Sequence, residues 1–207
     1  MDGLLGVKLG MTQRFTESGA VVPVTLLRVG PCVVIQRKTT ETDGYSAVQV
    51  GLEGTGRRGQ RVRAQATRLE AAGATGRVSV LREFRPDEGE SVAVGARFGA
   101  DVFAPDDRVR VSGVSKGRGF SGVMRRHGFH GGPASHGSKF HRAPGAIGMC
   151  ATPSRVLPGT RLPGHYGQDR VTVRNLRVVD VDASRNLVAV RGAVPGPRGG
   201  VVEIRKA

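Results

Sequence analysis

The residues best suited to metal binding or catalysis lie in one stretch near the middle of the chain: His127, His130, His136, His141 and Cys150. Structural zinc sites place such ligands at short, regular spacings, and a second group orients each imidazole. Here the spacings are irregular, and no Asp or Glu occurs nearby. A cysteine nucleophile would also need an oriented base. The sequence therefore predicts no metal, no cofactor and no enzymatic activity.

A glycine motif, Gly117-x-Gly119-x-x-Gly122, matches the letters of the dinucleotide-binding fingerprint. That site requires a helix after the glycines and an acidic residue about 20 positions further on. The next acidic residue is Asp169, so dinucleotide binding is not favoured. A nucleotide-using or metal enzyme stays an alternative that stoichiometric zinc or saturable dinucleotide binding would support. The same glycines let a backbone approach phosphate closely, which suits RNA.

The charge of the chain is concentrated around these motifs. The formal net charge is +15 and the pI is near 11.4. From Arg108 to Gln168 there is no Asp or Glu, yet this stretch contains ten of the 32 Lys and Arg residues and all five histidines. Such a surface attracts polyanions, either nucleic acid or an anionic membrane. No apolar run of 18 residues and no basic amphipathic helix supports a membrane partner, so nucleic acid is expected.

Aromatic and sulfur-containing side chains are interleaved with these cations: Phe120, Met124, Phe129, Phe140 and Met149. The stretch contains only five of the 30 valines, too little apolar material to order itself alone. A disordered linker is one interpretation. Linkers seldom carry aromatic residues, however, whereas proteins that stack on bases or fill gaps in folded RNA use them. We therefore expect a long loop that RNA orders.

The candidate RNA contacts share a positive charge, an imidazole or an aromatic ring. In the loop they are Lys116, Arg118, Phe120, Arg125, Arg126, His127, His130, His136, Lys139, His141, Arg142, Arg155, Arg161 and His165, and near the start of the chain they are Lys8 and Arg14. Arginine suits this task because its planar fork can pair with two phosphate oxygens and stack on bases.

Outside the loop the pattern is that of short β-strands. Valine packs well on a pleated surface, and apolar runs are separated by glycine-containing connections. The predicted strands are Val21–Val29, Cys32–Lys38, Ala47–Leu52, Val78–Phe84, Val92–Val94, Arg108–Val111, Arg170–Val181, Asn186–Arg191 and Val201–Arg205. Many short strands with turns between them favour a barrel or a sandwich.

One helix is predicted, because Thr67-x-x-Glu70 matches a capping box and Gly73 can end a helix. The fold class is therefore mainly β with one or more short helices. We expect a globular domain from residues 1–111 and 169–207, with residues 112–168 inserted between two paired strands as the basic loop. A loop of this length is usually functional.

Cys32 and Cys150 have different surroundings. Cys32 lies in an apolar run and is expected to be a small buried hydrophobe. A disulfide between the two is possible but unsupported, because Asp2 and the early glycines exclude a signal peptide and the cytoplasm is the expected location.

Several short motifs follow one another in order along nearly the whole chain: Gly3-Leu-Leu-Gly6-x-Lys8-x-Gly10-Met11-Thr12-x-x-Phe15, Ser115-Lys-Gly-x-Gly-Phe-x-Gly122-Val, Arg126-His-x-Phe129, Ser135-His136-Gly137, His141-Arg-x-Pro144-Gly-x-Ile147-Gly148, Val171-Thr-Val-x-x-Leu176, Val181-Asp182, Asn186-Leu187 and Gly192-Ala-Val-Pro-Gly196. On these motifs the chain resembles the bacterial family of the large-subunit ribosomal protein L3.

This resemblance implies a small closed β-barrel of the kind shared by translation factors, with an extension that enters the ribosome. It also implies a structural role: binding of large-subunit ribosomal RNA early in assembly, proximity of the extension to the peptidyl-transferase region, and contacts with ribosomal proteins L14 and L19. A general nucleic-acid-binding or architectural protein outside the ribosome is the alternative, and it would show little preference among RNAs.

The chain departs from the family in one place. Many bacterial members read Ile-Gly-x-Asn-Gln-Thr-Pro-Gly at the tip of the extension, with a glutamine that can be methylated. Here the stretch is Ile147-Gly-Met-Cys-Ala-Thr-Pro-Ser154, so Ala151 stands in place of the glutamine. Methylation at that position is excluded chemically.

Overall fold

The computed structural model describes residues 1–54, 63–74, 78–86 and 92–207, and it is mainly β as predicted. Its strands are β1 (Gly3–Phe15), β2 (Val21–Val29), β3 (Cys32–Lys38), β4 (Ala47–Glu53), β5 (Val78–Phe84), β6 (Arg97–Phe98), β7 (Arg108–Val114), β8 (Phe120–Ser121), β9 (Gly164–His165), β10 (Arg170–Asp182), β11 (Leu187–Arg191) and β12 (Val201–Lys206). The helices are α1 (Thr40–Asp43), α2 (Arg63–Ala71) and α3 (Val123–His127), with a 3-10 turn at Ala100–Val102.

Six strands pair in the order β1-β12-β7-β10-β11-β2, and β2 pairs again with β1, so the hydrogen-bonded sheet is closed. All these pairs are antiparallel. Alternating residues face the interior: in β7 Val109 and Val111 are fully buried, whereas Arg108 and Arg110 are exposed. This alternation is what a sheet with one buried face requires.

A second sheet has the order β5-β4-β3-β6. One apolar core joins it to the closed sheet, since Leu4, Val50, Phe84 and Val109 belong to the same buried cluster. Helix α2 packs beside β3, where Leu69 contributes to a smaller cluster with Val33 and Ile35. Stacking a helix and two sheets around shared apolar residues buries one face of each element.

Strand β1 was not predicted from the sequence, and two predictions were wrong: the helix cap at Thr67 and the strand at residues 92–94. Glycines interrupt the apolar pattern of β1, but Gly3 is needed because a Cβ there would lie 2.3 Å from the Ile204 oxygen. Helix α2 begins at Arg63, so Thr67 lies inside it and does not cap it. Residues 92–94 are not a strand; the strand that pairs with β3 is Arg97–Phe98.

The chain divides into two compact units: unit 1 comprises Met1–Val114 and Arg170–Ala207, and unit 2 comprises Ser115–Asp169. Strand β7 continues to Val114, beyond residue 112 where the loop was predicted to start. The predicted partner of β7 is observed, since β7 pairs with β10 from Val114↔Arg170 onward.

Both cysteines are free thiols; Cys32 is buried and Cys150 is exposed. Burial raises the pKa of the Cys32 thiol to about 12, and its Sγ donates to the Leu5 oxygen at 3.4 Å. Among the helices of the described part of the chain, none is long and apolar enough to cross a membrane.

Candidate nucleic-acid interface

A short antiparallel stem opens and closes unit 2. The Ser115 amide donates to the Asp169 oxygen at 2.9 Å, and the Asp169 amide donates to Ser115 Oγ at 3.2 Å. Further along, the Arg118 amide donates to the Tyr166 oxygen and the Tyr166 amide donates to the Gly119 oxygen. Strands β8 and β9 then continue the pairing. The ends of the basic segment are thus held together by backbone hydrogen bonds, which fix where its side chains emerge.

Helix α3 follows the stem and packs Val123 inward, where it is almost fully buried. Two residues of its last turn contact the returning chain: Arg126 Nη1 donates to the Leu162 oxygen at 2.8 Å, and His127 Nε2 lies 3.1 Å from the same oxygen. Both side chains are half-buried. Arg126 and His127, predicted as RNA contacts, therefore hold the segment itself together.

Further along, two chain segments of unit 2 touch at a pair of glycines. A Cβ on Gly131 would lie 2.0 Å from the His141 oxygen, and a Cβ on Gly132 would lie 2.1 Å from the Phe140 oxygen. Gly131 also has a positive φ of 75°. The His141 Nδ1 lies 3.0 Å from the Pro133 oxygen and closes the same contact. Only glycine allows this approach of the two backbones.

The remaining basic side chains of unit 2 project into solvent. The exposed predicted residues are Lys116, Arg118, Arg125, His130, His136, Lys139, His141, Arg142, Arg155, Arg161 and His165. In the described part of the chain none of the Lys and Arg residues of unit 2 forms an ion pair; Arg118 instead lies over the Tyr166 ring at 5.0 Å. Unit 2 therefore presents Lys and Arg side chains that no acidic side chain of the described residues pairs with.

Exposed apolar side chains accompany these cations. Phe120 is 80% exposed and Met149 is 75% exposed, and Phe140, Ile147 and Leu157 are also exposed. Such large apolar groups in solvent mark a contact surface when they cluster. Aromatic faces among cations are suited to stacking on bases.

The two candidates in unit 1 are engaged within the protein. Lys8 Nζ donates to the Val194 oxygen at 2.6 Å and to the Gly196 oxygen at 3.0 Å. Arg14 forms an ion pair with Asp180. Neither residue lies in unit 2. Their partners are remote in sequence, so the motif near the start of the chain gave no indication of them.

Tyr166 was not among the predicted residues, although it carries two stem hydrogen bonds and the ring beneath Arg118. The sequence could have indicated Tyr166 only through its position, as an aromatic residue next to His165. The histidines and Cys150 do not come together: within the described residues there is no group of three or more His, Cys, Asp or Glu placed to hold a metal ion. At the position of the family's glutamine, the Ala151 oxygen accepts a hydrogen bond from Ser154 Oγ.

Several known proteins to which the chain is similar belong to one family. The family model of ribosomal protein L3 matches residues 33–186. The large ribosomal subunit protein uL3 of Pelotomaculum thermopropionicum is 53% identical over 205 residues, covering 99% of this chain and 96% of the relative. The uL3 of Solibacter usitatus is 52% identical over 206 residues, covering 99% and 98%. That of Desulforapulum autotrophicum is 48% identical over 210 residues, with the same coverage.

Proposed function

The chain belongs to the ribosomal protein L3 family, and on that premise we propose that it is a structural constituent of the large ribosomal subunit that binds large-subunit ribosomal RNA. Members of this family are components of the ribosome and not enzymes. The protein accordingly acts in translation as part of a ribonucleoprotein, and its location is the ribosome in the cytoplasm.

One observation supports RNA binding by unit 2 above all. Between Ser115 and Asp169 the chain has eight Lys and Arg residues and a single acidic residue, and the cations that project into solvent have no ion-pair partner in the described structure. Isolated positive charges held at fixed positions repel one another unless an anion lies among them. RNA phosphates supply that anion, and exposed Phe120 and Met149 supply surfaces on which bases can pack.

We propose that the RNA-binding residues are those of the sequence prediction that project from unit 2, with Arg126 and His127 positioning them. His141 does both, because its side chain is exposed while its Nδ1 contacts the Pro133 oxygen. Arg118, supported by the Tyr166 ring, is well placed to present its guanidinium edge to a phosphate because its face is already covered. Lys8 and Arg14 stay candidates in unit 1; Arg14 is exposed, and its guanidinium group has five N–H donors.

The experiment that tests this proposal is binding of the whole protein to large-subunit ribosomal RNA, titrated with salt and challenged with an excess of unrelated structured RNA. If about eight phosphates are neutralised, log K should fall with log salt at a slope of about −6 to −7. Binding that survives the competitor is the expected result. Binding removed equally by any structured RNA would indicate a general nucleic-acid-binding protein and would overturn the proposal.

The finer parts of the proposal follow from the family. We infer that the closed six-strand sheet is the small barrel of the translation-factor kind, that unit 2 is the extension that approaches the peptidyl-transferase region, and that neighbouring partners include ribosomal proteins L14 and L19. We also infer an early role in assembly. Reconstitution of large subunits without this protein tests that role, because particles that assemble to full size at the normal rate would contradict it.

A further inference from the structure

The outer face of β7 in unit 1 carries two arginines that the sequence prediction did not include. Arg108 and Arg110 are exposed, while Val109 between them and Val111 after them are fully buried in the core. Because side chains alternate along a strand, both arginines point away from the core on the same face. Alternate residues of a strand are separated by about 6.6 Å, so the two guanidinium groups form one local concentration of charge.

Each of these arginines faces another arginine on the neighbouring strand. Arg110 is directly opposite Arg205 in the β7–β12 register, and Arg108 is directly opposite Arg177 in the β7–β10 register. Residues directly opposite in antiparallel strands share a face, with Cβ atoms about 4.5–5.5 Å apart, and like charges in such pairs are destabilising. Two such pairs on one strand lower the free energy of unfolding of the isolated protein.

In each pair only the arginine on the neighbouring strand, Arg205 or Arg177, forms an ion pair with an aspartate. Arg205 binds Asp2 at 3.1 Å, and Arg177 binds Asp106 at 2.6 Å. The adjacent carboxylate of Asp107 lies 3.7 Å from Lys206. Across the described residues, neither Arg108 nor Arg110 forms an ion pair or a side-chain hydrogen bond. Glu203, which is opposite Ser112 on the same face, is paired with Arg82 and Arg170 and lies 4.0 Å from Arg205. Arg108 and Arg110 are therefore the two arginines of the cross-strand pairs that no described acidic side chain contacts.

We propose that Arg108 and Arg110 form a second phosphate-binding site, which contacts ribosomal RNA from unit 1 independently of the basic segment in unit 2. This inference rests on the proposed function and names the surface through which unit 1 contacts the RNA. The next outward residue of β7 is Ser112, whose Oγ is 2.7 Å from Thr172 Oγ1. These hydroxyl groups extend the line of phosphate donors beyond the arginines.

The chemistry of the face favours RNA over an acidic protein surface. The cores of protein interfaces are depleted in charged residues and rich in apolar ones. Here the centre consists of guanidinium groups, and the nearby carboxylates of Asp2 and Asp106 already form ion pairs with Arg205 and Arg177. The phosphates of an RNA backbone are regularly spaced anions, and binding them does not require apolar surface around the contact.

The test uses the whole protein with the double variant R108Q/R110Q and a control that loses the same charge, R68Q/R185Q. Arg68 lies on α2, and Arg185 lies between β10 and β11 and is exposed beside Asp182, so neither belongs to β7. Loss of two phosphate contacts should reduce the magnitude of the salt slope by about 1.4–1.8, with affinity for large-subunit RNA falling on the order of tenfold to fiftyfold at 0.1 M salt. The control should keep a slope near that of the wild type.

Equal salt slopes for R108Q/R110Q and the control would overturn the inference. This is also the result expected if the face binds an acidic protein and not RNA. A second variant, R108K/R110K, keeps the charge and should keep the slope; a slope like that of the Gln variant would also overturn it. Because the slope is measurable on any RNA, this outcome is separate from failure of the proposed function, in which the wild type shows no preference for large-subunit RNA. Removing like-charge pairs should leave the midpoint of thermal unfolding unchanged or higher.

Discussion

Arg126 donates a hydrogen bond from its Nη1 to the main-chain oxygen of Leu162 at 2.8 Å. This bond joins the end of α3 to the chain that returns toward β9, across 36 positions of sequence. The guanidinium also covers Gly164, where an added Cβ would lie 2.6 Å from Nη1. The arrangement makes Arg126 a positioning residue, whereas its exposed neighbour Arg125 has no such contact among the described residues.

The variant Arg126→Ala should therefore loosen unit 2 before any RNA is added. Loss of one charged hydrogen bond is expected to cost about 1.5–3 kcal/mol locally. Hydrogen exchange of the Tyr166 amide, which donates to the Gly119 oxygen in the adjoining stem, should become faster. Arg125→Ala is the matched control, and it should weaken RNA binding without changing exchange in the free protein. Identical exchange profiles for the two variants would refute the positioning role.

Gly132→Ala should disrupt the contact between two backbones of unit 2. The new Cβ would lie 2.1 Å from the Phe140 oxygen, a main-chain atom that cannot rotate away. Segment 131–132 must then separate from segment 140–141, and amide exchange in this region of the free protein should increase. RNA affinity should fall, because Lys139 and Arg142 flank the displaced segment.

Gly122→Ala provides the control for this prediction, since a Cβ there meets no atom within 4 Å and its φ is −68°. It should leave exchange near residues 131 and 141 unchanged. If Gly132→Ala bound RNA as tightly as the wild type and exchanged at the same rates, the close contact would not be needed for the binding-competent shape.

The residues of β7 and β1 show what the sequence could and could not predict. The strict alternation of charge and valine in β7 predicted a half-buried strand, because burial of one face follows directly from the period of two. Strand β1 was missed because its glycines carry no apolar signal, and their role depends on how closely β12 approaches. Thr67 matched a helix cap locally, but α2 already includes it; packing of the helix against the sheet overrode the local signal.

The candidate site was predictable by residue type and not by role. A stretch without acidic residues indicates an anion partner regardless of fold, and all of its Lys and Arg side chains except Arg126 are exposed. The inward roles of Arg126 and Lys8 depend on carbonyl groups 36 and 186 positions away. No local pattern encodes such partners. The arginine pairs of β7 were equally hidden, because they exist only once the strand register is known.

Lys8→Met should destabilise unit 1 through the loss of the hydrogen bonds to the Val194 and Gly196 oxygens. Two charged hydrogen bonds of this kind are worth about 3 kcal/mol or more together, part of which the methionine side chain recovers by packing. Urea unfolding of the free protein should show a midpoint shift corresponding to about 2 kcal/mol. Lys139→Met, exposed in unit 2, should leave the midpoint unchanged and weaken RNA binding instead. A midpoint for Lys8→Met that equals that of Lys139→Met would contradict the structural role.

The two cysteines should differ sharply in reactivity toward a thiol reagent at pH 8. Cys150 is exposed and should be modified at once, whereas Cys32 is buried and its pKa is raised to about 12. Since the thiolate is the reactive form, Cys32 should react only as fast as the protein unfolds. The Cys150→Ser variant isolates the slow thiol. Rapid modification of Cys32 in that variant would show that the core around it is open.

The same pKa shift makes stability depend on pH in the alkaline range. The folded state holds the Cys32 proton up to about pH 12, whereas an unfolded thiol with a pKa of 9.0 releases it earlier. The unfolded state therefore binds fewer protons between these values, and stability falls as pH rises. Subtracting the free energy of unfolding of Cys32→Ala from that of the wild type cancels the contributions of the other titrating groups. This difference should decrease by about 1.4 kcal/mol from pH 8 to pH 10 under reducing conditions. A difference that stays constant over this range would mean that Cys32 ionises in the fold as readily as in the unfolded chain.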